Sequence, residues 1–107
     1  MVIIVEKESF MSAIPIQKTL SKEELYTLIQ NYQKNHDQKS KEMIILSNTK
    51  LVLSLMKRFY QKSNHYEDLF QVGIVGLIKA VDHFDTNYQL QFSTYAVPLI
   101  IGEMKRY

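Results

Sequence analysis

The sequence predicts an all-α fold, a compact bundle of about four helices. Three observations carry this expectation. The chain has 107 residues but only three Gly and two Pro, too few for the many turns of an all-β domain. Residues 38–61 contain neither, which suits a long helix. Phe70 to Ile78, FQVGIVGLI, carries no charge and a single polar side chain, Gln71, the composition of a helix with more than one face to bury. At this length the chain makes one domain and buries roughly two-thirds of its unfolded surface.

The opening run Met1-Val2-Ile3-Ile4-Val5 is too short to cross a membrane, and Glu6-Lys7-Glu8 follows at once. A secretory signal needs a basic start and a longer apolar stretch. Residues 1–18 are therefore expected to form a flexible segment, in preference to a β-prone piece packed on the domain or a partner. Residues 19–107 make the helical domain, and no membrane association is expected. The absence of Cys excludes a disulfide scaffold and a thiolate metal site, and fits a cytoplasmic protein.

The first helix should begin at Ser21, because Ser21 and Glu24 have the spacing of a capping box and Leu20 and Leu25 that of a hydrophobic staple. Leu25, Leu28, Ile29 and Tyr32 then mark one buried stripe, to about Lys34. Asn35-His36-Asp37 breaks the pattern, with Asp37 placed to cap the next element. That element reads as one helix from about Gln38 to Gln61. Ile45, Asn48, Val52, Leu55 and Phe59 share a face, widened by Ile44, Leu51 and Met56, while Lys50, Lys57, Arg58 and Lys62 lie outside it. Asn48 interrupts the apolar row. It is either an amide that bonds backbone and fixes register, the favoured reading, or a side chain turned toward a ligand.

Asn64 and Glu67 look like a second box, opening the helix that holds the uncharged run. Leu69, Val72, Gly73, Gly76, Leu77 and Ala80 lie along one side, and the small residues would let another helix come close. Phe70, Gln71, Ile74, Ile78 and Val81 point elsewhere. This is either the central helix of the bundle or one that keeps a ridge of Asp68, Gln71, Val72 and Ile74 for another protein's helices.

After the polar break Asp85-Thr86-Asn87, the aromatics Phe84, Phe92 and Tyr95, with Tyr88 nearby, surround a turn and a helix start. Ser93 and Thr94 add hydroxyls where a helix N-terminus tolerates anions. Such aromatics are core, or they are faces on which single-stranded bases stack. If Ser93 caps the last helix, Pro98 removes a ladder bond near its first turn and predicts a kink or a later start.

Catalysis finds little support. There is no Gly-rich phosphate loop, no HExxH and no nucleophile in a recognisable turn. His65 with Asp68, or Asp82 and His83 with Asp85, lack a second matching segment to complete a metal site. Neither an enzyme nor a cofactor is expected. With 13 Lys+Arg against 11 Asp+Glu the net charge is only +2, so contact with nucleic acid would be short-range or assisted.

The run Asp68-Leu69-Phe70-Gln71-Val72-Gly73, then Gly76-Leu77-Ile78-Lys79-Ala80-Val81, Phe84-Asp85 and Phe92-Ser93-Thr94-Tyr95-Ala96, resembles region two of bacterial sigma factors of the sigma-70 family. Asn48-Thr49-Lys50-Leu51-Val52 is similar to the start of that region. The ending Val97-Pro98-Leu99-Ile100-Ile101-Gly102-Glu103 most resembles the sporulation and general-stress alternative sigma factors, the forespore type above all. The resemblance covers about residues 40 to 107.

It implies a non-enzymatic factor for transcription initiation that binds core RNA polymerase through the β′ clamp helices and captures the non-template strand of the promoter −10 element. Asp68, Leu69, Gln71, Val72, Ile74 and Ile78 match polymerase-binding positions. Phe84 and Tyr95 match the pocket for a flipped base, Ser93 and Thr94 match backbone contacts, and Asn48, Lys50, Lys105 and Arg106 match further DNA-binding positions. Binding an extruded base offsets the few kcal/mol of lost stacking and pairing, so the open state is favoured without ATP. An anti-sigma factor is a further implied partner and the basis of an alternative reading, in which the same ridge is sequestered and the domain does not bind DNA on its own.

Departures from the family pattern modify these expectations. Pro98 and Leu99 replace paired tryptophans and Leu90 replaces a tyrosine. Val72 and Ile74 replace polar residues, which implies a more apolar polymerase contact. The stop at Tyr107 implies a fragment or one half of a divided factor.

Overall fold

The computed structural model describes residues 20–59, 65–87 and 89–107. The expected flexible segment 1–18, the Asn64 cap and the placement of Tyr88 lie outside the described residues. Five α-helices make up the described fold: α1 Lys22–Asn35, α2 Gln38–Ser47, α3 Thr49–Met56, α4 Tyr66–His83 and α5 Phe92–Arg106, with a short 3₁₀ turn at Lys57–Phe59 after α3.

The start of α1 follows the expected box. The Glu24 amide donates to Ser21 Oγ at 3.1 Å, and Glu24 Oε1 accepts from the Ser21 amide at 2.9 Å. Two of the amides that a helix start leaves unpaired are thereby satisfied. Ile29 and Tyr32 are buried on the predicted stripe, with Leu25 and Leu28 half-buried beside them. The helix closes at His36, in the left-handed region at φ 51°, where its amide donates to the Tyr32 carbonyl. Asp37 then caps α2, accepting from the Ser40 amide at 3.3 Å and the Ser40 hydroxyl at 2.6 Å. The Ser40 hydroxyl, together with the backbone amides of Ser40 and Lys39, holds the Asp37 carboxyl below its ordinary range against a smaller cost of desolvation.

The expected single helix over 38–61 is broken at Asn48. Its φ of −110° and ψ of 10° leave the helical region. In an unbroken helix the Asn48 amide would bond the Ile44 carbonyl. Instead its side-chain Nδ2 takes that carbonyl at 2.8 Å, and the main-chain amide steps to Ile45 at 3.1 Å. Ser47 Oγ also donates to Ile44, and Thr49 Oγ1 donates to Ile45, each at 3.0 Å. Three successive polar side chains compete with the ladder for the last carbonyls of α2, and the helix ends. Asn48 therefore bonds helix-end backbone, and the extra helix beyond the expected four comes from this break.

Helix α4 has His65 at its N-cap position, without a side-chain cap bond, and Glu67 and Asp68 fall within the first turn, where the helix dipole favours negative charge. Helix α5 begins at Phe92 after an N-cap at Gln91, so Ser93 is not the cap. It continues through Pro98. The carbonyl deprived of a donor by that proline belongs to Thr94; Thr94 and Pro98 are both exposed, and water can satisfy it. Tolerance of this lost bond removes the need for a later start.

Helices α4 and α5 run antiparallel, as shown by Phe84 against Phe92 and Tyr95 at one end and Asp68 against Tyr107 at the other. Val52, Met56, Leu69, Leu77, Ala80, Ala96 and Ile100 fill the space between α3, α4 and α5 and are all nearly or fully buried.

Candidate functional site

The periodicity of α4 separates its residues cleanly. Tyr66, Leu69, Phe70, Gly73, Gly76, Leu77, Ala80 and Val81 are buried, while Asp68, Gln71, Val75, Lys79 and Asp82 are exposed and Val72, Ile74 and Ile78 are half-buried. Positions 68, 71, 75, 78 and 82 follow alternating steps of three and four, the spacing by which one helix lies along another. On this line Val75 and Ile78 stand among Asp68, Gln71 and Asp82, and Val72 and Ile74 flank it on either side, so the outer face is an apolar strip interspersed with polar side chains.

Of the residues matching polymerase-binding positions, Asp68, Gln71, Val72, Ile74 and Ile78 lie on this face. Leu69 does not: it is 1% exposed and belongs to the core, so in this arrangement its part is to support the ridge from beneath. Val75, absent from the expected set, is the most exposed apolar residue of the helix at 47%. The signal that would have found it is its spacing, four residues after Gln71 and three before Ile78. Asp68 also accepts a hydrogen bond from Tyr107 Oη at 3.3 Å.

At the other end of α4 the aromatic residues form one cluster around Phe84. Its ring meets Tyr26 and Phe92 edge-on, both at 5.3 Å between centroids, and Tyr95 at 5.4 Å with a 49° tilt. Phe84 is itself 2% exposed, so it is a floor to the cluster and not an open face. Tyr95 is half-buried at the edge, with Ser93 and Thr94 exposed on the same first turn of α5. Leu90, 44% exposed, lies in the turn just before. An aromatic edge beside free hydroxyls can hold a flat ring and an anionic backbone together.

The remaining expected DNA-contact residues are dispersed. Asn48 is half-buried, with its Nδ2 engaged by Ile44 and Ser47. Lys50 is exposed. Lys105 and Arg106 occupy the far end of α5, roughly 15 Å from Tyr95 at the helical rise. Arg106 pairs with Glu103, which also accepts from Lys79 Nζ at 2.8 Å. These hydrogen bonds, Lys79 foremost, hold the Glu103 carboxyl below its ordinary range against a smaller cost of desolvation.

Helix α1 contributes contacts that the sequence reading did not anticipate. Gln33 Nε2 donates to the carbonyls of Val81 and Phe84 at 2.8 and 2.7 Å, and Gln30 Nε2 donates to Thr86 Oγ1 at 2.8 Å. An open groove of about 530 Å³ lies along this junction, lined by Gln30, Gln33, Lys34 and residues His83 to Asn87. The partners stand about fifty residues apart in the chain, and two glutamines with no local motif offer no signal of such pairing.

Comparison with known proteins gives this geometry a family. Residues 44–107 match the Sigma-70 region 2 family model. The chain is 43% identical over 96 residues to the RNA polymerase sigma-G factor of Bacillus subtilis (strain 168), covering 90% of this chain and 36% of that protein. It is 48% identical over 88 residues to the RNA polymerase sigma-F factor of Bacillus licheniformis, covering 82% and 34%. The RNA polymerase sigma-B factor of Bacillus subtilis (strain 168) is 38% identical over 88 residues, again covering 82% and 34%. The chain spans about a third of the length of these relatives. The family match includes the whole α4 ridge and the aromatic turn, covers more than half of the residues and is joined by these relatives, and on that ground the chain belongs to the sigma-70 region 2 family.

Proposed function

We propose that this chain directs transcription initiation by binding core RNA polymerase through the outer face of α4 and capturing the −10 non-template strand beside Tyr95. The observation that carries the reading is the strip of Val72, Ile74, Val75 and Ile78, apolar and accessible on a helix whose opposite side already fills the core. A helix face centred on the line of positions 68, 71, 75, 78 and 82, with apolar and polar side chains interspersed, fits along a partner helix. The resemblance to the sigma-70 family supports the clamp helices of β′ as that partner. Its residues would be Asp68, Gln71, Val72, Ile74, Val75 and Ile78, with Leu69 supporting them from the core.

Strand capture is the second part of the proposal. Tyr95 offers the stacking edge, Phe84 its backing, and Ser93 and Thr94 the hydroxyls for phosphate. Asn48, Lys50, Lys105 and Arg106 flank the path as further contacts. The energy for opening comes from binding the extruded base, not from catalysis. An anti-sigma factor suits the same α4 strip, because a surface kept apolar for polymerase is open to any competitor of like shape.

The test is a pull-down of the domain against an isolated β′ clamp-helix fragment, wild type beside Val75→Asp, with circular dichroism to confirm the fold. Val75 is exposed, so a charge there leaves the core untouched. Binding by the wild type and its loss in the variant supports the reading. Equal binding by both folded proteins refutes the ridge, and no binding by either turns the reading toward sequestration by an anti-sigma factor.

A further inference from the structure

We propose that Gln33 is a positioning residue for strand capture: from α1 it fixes the turn that carries Phe84, and so sets the stacking edge at Tyr95. The inference rests on the strand-capture reading above. Helix α4 ends at His83, and the last carbonyls of any helix lack donors of their own. A carboxamide nitrogen carries two N–H donors. Gln33 uses them to bond Val81 and Phe84, on either side of the helix end, at 2.8 and 2.7 Å.

Two further residues of the same helix stripe act on the same turn. Tyr26, Gln30 and Gln33 are spaced by four and three and so share one face of α1. Gln30 bonds Thr86 at 2.8 Å, Tyr26 packs its edge on Phe84, and Tyr26 Oη reaches the Leu90 carbonyl at 3.4 Å. Within the turn itself, the Asn87 amide donates to Asp85 Oδ1 at 2.9 Å. The Phe84 ring is the surface against which Tyr95 rests, so a shift of the Phe84 backbone moves the pocket edge. All three clamping residues precede residue 44, where the family match begins. The stacking site is therefore assembled by a helix outside the matched region.

The experiment measures binding of the whole chain to a single-stranded oligonucleotide carrying a −10 non-template sequence, and to copies with an abasic site at each position in turn. For the wild type, one abasic position is expected to lower affinity about tenfold. Gln33→Leu is expected to bind the intact strand about tenfold more weakly and to lose that position's penalty, while still binding the clamp-helix fragment. Gln33→Lys, which keeps N–H donors, is expected to recover part of the penalty, a rescue that lost bulk alone would not produce. A folded Gln33→Leu protein with wild-type affinity and penalty overturns the proposal. If Gln33→Leu does not fold, Gln30→Leu at an exposed position decides: a penalty reduced about two- to threefold supports the clamp, and an unchanged one overturns it. A wild type without any abasic penalty sinks strand capture itself, a failure visible before any variant is compared.

Discussion

Gly76 on α4 lies against the main chain of α5 at Ile100. A Cβ built on Gly76 would stand 2.6 Å from Ile100 Cα and 2.7 Å from the Leu99 carbonyl oxygen. Backbone atoms cannot rotate aside as side-chain ends do, so Gly76→Ala must push the helices apart. The expected cost is about 2–4 kcal/mol, after the roughly 1 kcal/mol that alanine gains in helix propensity. At Gly73 the same Cβ would meet the ends of Met104 and Val52 side chains, and Gly73→Ala should cost less than Gly76→Ala. Urea unfolding of the two variants checks the order; a Gly76→Ala protein as stable as wild type would contradict the close approach.

Tyr95 and Phe84 touch, yet their removal should have different consequences. Tyr95→Ala truncates a half-buried ring at the pocket edge and is expected to weaken binding of a −10 non-template oligonucleotide by about 1–3 kcal/mol. Binding to the clamp-helix fragment should persist. Phe84 is 2% exposed and central to the cluster, so Phe84→Ala should destabilise the whole fold by about 3–5 kcal/mol. Thermal melts with oligonucleotide titrations separate the two effects.

Glu103 joins α4 to α5 through Lys79 and also holds Arg106. Its carboxyl lies below the ordinary value of 4.5, with the Lys79 hydrogen bond as the largest cause. A carboxyl depressed in the folded state adds stability above its unfolded pKa and loses it as pH falls through the folded one. The difference in stability between wild type and Glu103→Gln should therefore be constant near neutrality and shrink below about pH 4.5. Denaturation midpoints from pH 7 to pH 3 give the measurement. A difference independent of pH would exclude the ion pairs as its source.

Asn48 replaces a ladder bond with a side-chain bond at the α2–α3 junction. Asn48→Ala should cost about 0.5–1.5 kcal/mol through loss of that bond, partly offset because alanine favours a continuous helix. Hydrogen exchange should show greater protection of the amide at position 48 if the two helices merge. Unchanged exchange together with unchanged stability would mean that the side chain does not enforce the break.

Local chemistry made much of the fold legible. The Ser21 and Glu24 box and the Asp37 cap follow from interactions within one or two helical turns, and the spacing of residues records them directly. The α2–α3 break was harder to read, because Ser47, Asn48 and Thr49 compete for carbonyls only once a helix exists to offer them. The ridge was legible as an excess of apolar surface on α4, but assigning Leu69 inward and Val75 outward required knowing how α4 rotates against α3 and α5.

Composition and residue spacing make this protein helical, mark the starts of α1 and α2, and give α4 more apolar surface than one neighbour could cover. Packing selects which α4 residues remain outside, sets Phe84 behind the aromatic edge and not in it, and brings Gln33 to the end of a helix about fifty residues away. The difference is one of range. Caps and periodicity act between residues a turn apart, whereas the choice of outer face and the pairing of Gln33 with the α4 end exist only when packing has brought distant segments into one place.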